Sequence, residues 1–278
     1  MNRLRGIVVA IVLTASGIGA AFAVRAQFGG GSEEVATVSS LSPAERSAQL
    51  ARTRLEGSLA ALDRFVDEQR ARCAQLADRA EEWRVLAEAY LERCLLRDTN
   101  KGMAVGRTTH TTLPDSHRVD LEAGLLAIDK AIALGDHDPD AHRIQSSILS
   151  LGATGWSEIL RVRPRVEAAL RAAEAIDAGH PRIVFARACE KLFAPNRFLG
   201  HDPAAAERMF LKTADALTLD ERPLLLAAMC AWLQERRDDC IAMLERALSR
   251  NANNRYVREV LRRIRASEDD PFGRDVVD

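Results

Sequence analysis

The sequence is short of helix breakers and rings. Aromatic residues make up 5% of it, and nine Pro and 16 Gly are few for 278 residues. That excludes a Pro- or Gly-rich disordered chain and a collagen-like one. With an apolar content of 47%, rich in Ala and Leu, it suits a folded chain whose helices pack closely. Net charge is also missing: 39 basic and 40 acidic residues leave a balance of −1. A general electrostatic attraction to nucleic acid is therefore excluded. Lys is nearly absent among the basic residues, which are almost all Arg.

Catalytic signatures are missing too. There is no G-x-S-x-G, no G-x4-G-K-[ST], no H-E-x-x-H, and no G-x-G-x-x-G after a strand. The five cysteines (Cys73, Cys94, Cys189, Cys230 and Cys240) include no C-x-x-C and no C-x-x-C-H. Their number is odd. Cys230 and Cys240 flank one turn, so a bridge between them is conceivable in an exported chain; the alternative is that all five are small buried packing residues. Asp136-His137-Asp138-Pro139-Asp140-Ala141-His142 is the one dense set of ligand-type side chains. A turn with helix-capping Asp residues accounts for it better than zinc does. The sequence thus implies no enzyme, no metal and no cofactor.

One long apolar run is present. Gly6–Val24 has 19 residues without a charge, preceded by Arg3 and Arg5. It suits a secretory signal, with Ala21-Phe22-Ala23 as a cleavage site, or a single inner-membrane anchor of spanning length. In both cases the remainder is expected outside the cytoplasm, in the cell envelope, since two N-terminal Arg keep that end inside. Residues 1–26 form this segment and 27–41 a Gly- and Ser-containing linker.

From Ser42 the pattern is helical. Ser42-Pro43-Ala44-Glu45 reads as an N-cap, a first-turn Pro and an early acid. Apolar spacing runs to about Val66, and the helical pattern continues to Leu96 with a break expected near Asp67–Arg70. Asp138-Pro139 starts another helix that ends at Gly152–Gly155. Pro164 is expected to open the next, Pro181 the one after it through Phe193, and Asp202-Pro203 another. A last helix, Tyr256–Arg265, places Val257, Val260, Leu261 and Ile264 inward and Arg255, Arg258, Arg262 and Arg263 outward. Residues 266–278 read as a mobile acidic tail.

Glu221–Asn254 is 34 residues long. Counted from Glu221, it has small residues at positions 8, 20 and 27 (Ala228, Cys240 and Ala247), a large apolar one at 24 (Leu244), and a polar turn at Gln234–Asp239. Trp83-x-x-Leu86-Ala87-x-x-Tyr90 is followed, after the polar insertion Asp98–Ser116, by Gly124, Ile128 and Ala131 in an A-x3-F-x2-A pattern. Ala206-x3-Phe210 with Thr213 is a third partial copy. These stretches resemble the tetratricopeptide repeat (TPR), a pair of antiparallel helices, A and B, repeated in tandem. The resemblance runs from about Ala80 to Asn254. Leu224 in place of Trp and Ala252 in place of the closing Pro depart from it. The loop from Ala194 to Asp202 also resembles A-P-x-x-F-G-G-D, found in some envelope TPR proteins associated with bacterial TRAP-type transporters.

The resemblance implies an all-α fold over residues 42–265. About four TPR-like hairpins with flanking helices would stack into a right-handed solenoid. It implies a concave groove lined by the A helices. Carrying the register over, the first copy offers Glu81, Arg84, Glu88, Leu91 and Glu92, and the last offers Arg222, Leu225, Met229, Trp232 and Leu233. One end is charged. The other is apolar and equally suited to the core. The function implied is a scaffold that binds a protein or peptide partner of the cell envelope. The alternative is a periplasmic small-molecule-binding subunit associated with a transporter.

Overall fold

The structure is a computed structural model. It describes residues 41–97, 114–153, 156–194 and 200–272. The expected signal or anchor segment, most of the insertion Asp98–Ser116, and residues 195–199 of the Ala194–Asp202 loop lie outside them. Among the described residues the chain is all-helical, with 11 helices and no strand. The helices are α1 (Pro43–Glu56), α2 (Leu59–Gln75), α3 (Ala80–Arg97), α4 (Asp115–Ala133), α5 (Pro139–Gly152), α6 (Trp156–Asp177), α7 (Pro181–Phe193), α8 (Pro203–Ala216), α9 (Arg222–Leu233), α10 (Arg237–Arg250) and α11 (Arg255–Arg265). None of them is long and apolar enough to cross a membrane.

Helix starts follow local chemistry. The Ser42 hydroxyl accepts from the Glu45 N–H while the Glu45 carboxylate accepts from the Ser42 N–H, a reciprocal capping box. Asp138, Asp202 and Asn254 cap α5, α8 and α11 through their side-chain oxygens. Pro occupies the first turn of α1, α5, α7 and α8, where its missing N–H costs nothing.

Two boundaries differ from the sequence reading. The first break falls at Gly57–Ser58 and the second after Gln75, while Asp67–Arg70 stays helical. Gly57 adopts φ 66° and closes α1 by donating its N–H to the Arg54 carbonyl, a conformation that suits Gly. Ser58 then caps α2 through the Ala61 N–H. The Asp67–Arg70 charges form an i,i+3 pair on a solvated face. Pro164 lies inside α6 rather than opening a helix. It is exposed, as is Leu160 four residues earlier, so water can satisfy the carbonyl that loses its donor.

Consecutive helices pack against each other: α3 with α4, α5 with α6, and α8 with both α7 and α9, which also packs on α10. α3, α5 and α7 lie side by side in turn. Small residues sit where helices cross. A side chain at Gly124 would come within 3.1 Å of the Ile148 Cδ1 and 3.3 Å of the Tyr90 Cβ, so any larger residue there would push α3 and α5 back by a few tenths of an ångström. In the last pair, Ala228, Cys240, Leu244 and Ala247 are all fully buried.

Two apolar cores result. One is built on α1–α5 around Leu62, Phe65, Val85 and Ile128. The other is built on α7–α11 around Phe210, Leu224, Leu244 and Val260. The second extends past α11. Phe272 is fully buried in it, and its carbonyl accepts from the Tyr256 hydroxyl at 2.8 Å. Within the stretch expected to be mobile, Ala266–Asp269 are exposed, but Pro271 and Phe272 are held, because Phe272 is an aromatic side chain that the core can bury.

Candidate functional site

A band of charge runs along α3, α5, α7 and α9 and reaches the C-terminal end of α1. At one end the Arg84 guanidinium donates to Asp136 at 2.9 Å and pairs with Asp138 at 3.0 Å. Next, Arg143 and Arg182 both pair with Glu88, Arg143 at 3.1 Å, and both also reach Asp140. Arg222 then pairs with Glu92 at 3.0 Å and Asp220 at 2.7 Å. At the far end Arg54 donates to both oxygens of Glu221, at 2.9 and 2.8 Å, and lies 3.7 Å from Asp220. Glu221 accepts further bonds from the Asn251 and Asn254 side-chain amides. Residues from α1, from the start of α9 and from the α10–α11 turn are thereby tied together, joining the two cores through polar contacts.

Burial alone would raise the carboxyls of Glu88, Asp140 and Asp220. The neighbouring arginines outweigh it and hold all three below the ordinary range. Glu82, against Arg72 and Gln69, behaves likewise. Carboxylates with lowered folded values add stability that is fully present above their unfolded values, about pH 4. It is lost as pH falls through the folded values. The urea midpoint is therefore expected to hold from pH 7 to about 4.5 and then to fall steeply toward pH 2. A midpoint unchanged at pH 3 would show that the band adds no stability.

The ten groove candidates separate. Glu81 is exposed. Arg84, Glu88, Glu92 and Arg222 are consumed by the ion pairs just described. Leu91, Leu225 and Met229 are buried, the last two at 2% exposure each, and Trp232 and Leu233 pack half-buried against the second core. The apolar end of the expected groove is therefore core packing in this structure. Arg54, Arg143, Arg182 and Asp220, which complete the band, belong to no motif in the sequence, and Asp140 and Glu221 stand there only in a turn and at the start of a repeat.

The Asp136–His142 stretch is a turn and helix cap, Asp136–Asp138, followed by the first residues of α5. Asp136 accepts from Arg84 and from the Asp138 N–H, and Asp138 accepts from the Asp140 N–H. Among the described residues no cluster of three or more ligand-type side chains could hold a metal. The five cysteines are free, Cys189 half-buried and the others buried. Burial pushes the thiols of Cys73, Cys189 and Cys240 up to about 12 and raises that of Cys230 as well. Ellman's reagent is expected to label none of these four within minutes in the native protein and to find five thiols after denaturation. A denatured count of three would instead demonstrate a bridge.

The band ends at a cleft of about 250 Å³ between α1, α3, the start of α9 and the α10–α11 turn. Leu59, Leu95, Leu96 and Leu225 give it an apolar lining, and Arg54, Glu92, Arg222, Asn253 and Arg255 are among its polar residues. Of the ten candidates, Glu92, Arg222 and Leu225 line it. Leu59 is a large apolar side chain left 36% exposed.

No family model matches this chain, and no curated protein matches it. Among solved structures, that of YrrB, described as a TPR protein with an unusual peptide-binding site, aligns with 72% of this chain and 84% of that one. The identity is 11% and the TM-score 0.33, so the likeness carries no argument about either fold or function.

Proposed function

We propose that this chain is an exported or membrane-anchored scaffold of TPR-like helical hairpins, stacked as a solenoid, that binds a protein or peptide partner of the cell envelope without chemistry. The observation that carries the reading is the cleft. It is an apolar hollow opening beside a band whose arginines are all paired with carboxylates of the band itself, so it offers unspent binding surface. The repeated small-residue crossings at Gly124 and at Ala228, Cys240 and Ala247 support the TPR-like part. The uncharged run Gly6–Val24 supports the envelope location. The volume speaks against the small-molecule alternative, since ligand sites usually offer about 300–1,000 Å³.

A photo-crosslinking residue at Leu59, compared with one at Leu160, which is 64% exposed on α6, tests the reading in cells that make the protein. A protein adduct formed from position 59 and not from position 160 is the expected result. Equal adducts from both positions, or none from position 59, would refute it.

A further inference from the structure

We propose that the cleft receives an aliphatic side chain of the partner peptide together with a carboxylate on the adjacent residue. Leu59, Leu95, Leu96 and Leu225 hold the first, and Arg255 holds the second. This rests on the peptide-binding reading and names what is bound.

Charge complementarity selects the carboxylate. Of the arginines lining the cleft, Arg54 is spent on Glu221 and Asp220, and Arg222 on Asp220 and Glu92. Arg255 is exposed and has no carboxylate partner among the described residues. Three arginines (Arg54, Arg222 and Arg255) thus face two carboxylates (Glu92 and Glu221) in the lining, which favours a bound carboxylate over a bound cation. The lining selects an aliphatic neighbour. Its apolar part is mostly leucine, and the volume suits an anchor of one or two residues rather than a whole ligand. The opening lets the rest of a peptide leave toward solvent.

The test is selection of random heptapeptides from a display library on the full chain held in mild detergent, in parallel with Arg255→Glu and Leu59→Ser. Neither substitution threatens the fold. Residue 255 is exposed, and an acid in the first turn suits the helix dipole. Circular dichroism confirms that each variant is folded. The unmodified chain is expected to enrich Leu, Ile or Val beside Asp or Glu. Arg255→Glu is expected to weaken the selected peptide about tenfold, the size of one rim charge contact, and to shift selection toward Lys or Arg. Leu59→Ser is expected to weaken it by a similar factor. Enriched peptides without the pair, or indifferent to Arg255→Glu, overturn this inference and leave peptide binding standing. No enrichment on any form overturns both. Enrichment only after deletion of residues 273–278 would assign the cleft to the chain's own C-terminal segment and overturn the assignment to a partner.

Discussion

Glu221→Ala is expected to lower the stability of the folded chain by about 3–5 kcal/mol, the usual cost of stranding a buried charge. Glu221 is 2% exposed and accepts from Arg54, Asn251 and Asn254. Without it, Arg54 keeps only a long approach to Asp220 and a bond to the Leu219 carbonyl at 3.0 Å. Its guanidinium would stay desolvated and largely unpaired. The loss also loosens α1 from the start of α9, leaving the Asn253 bond to the Leu55 carbonyl and the Arg222–Glu92 pair to hold the two cores together. Urea denaturation of the wild type, Glu221→Ala, and a double variant with Arg54→Met and Glu221→Leu measures this. The double variant is expected to recover much of the loss, because no lone charge remains. A single-variant cost below about 1 kcal/mol would mean that the pair sits in solvent-like surroundings and holds nothing together.

Phe210→Ala is expected to cost about 3–5 kcal/mol, by lost transfer energy and by the cavity left behind. Phe210 is fully buried on α8 and meets Phe185 of α7 edge to face, with ring centroids 5.5 Å apart at 62°. α8 packs on both α7 and α9, so the ring fills the space where the second core would otherwise divide. Phe210→Leu keeps most of the volume and is expected to cost clearly less. The two midpoints in urea, at unchanged slope, decide it. Equal losses for Ala and Leu would assign the effect to the aromatic pair rather than to volume.

Both substitutions act on features that the sequence disclosed to very different degrees. Phe210 was marked beforehand, since Ala206-x3-Phe210 places a large and a small residue one turn apart on one helix face. Glu221 was marked only as the first residue of a repeat, with no sign that it would be buried under Arg54. The groove candidates divide in the same way. Arg84, Glu88 and Arg222 do lie in one charged band, yet nothing in the sequence points to Arg143 and Arg182, the partners of Glu88. α5 and α7 carry no motif of their own from which a register could be carried over. Leu225 and Met229 have a spacing that suits a groove as well as a core, and only the neighbours packed against them settle which it is.

The sequence by itself determined the all-helical class, most helix starts and the close crossings. Caps at Ser42, Asp138, Asp202 and Asn254, first-turn prolines, and small residues such as Gly124 act within one or two turns of chain. The tertiary structure alone decided that Arg54 of α1 reaches Glu221 at the start of α9, that the arginines of the band are all paired within it, and that a cleft remains where it ends. Those contacts join Arg54 to Glu221 across 167 positions and Arg222 to Glu92 across 130. An arginine does not disclose in sequence which distant carboxylate it will meet, because that depends on how every intervening helix packs.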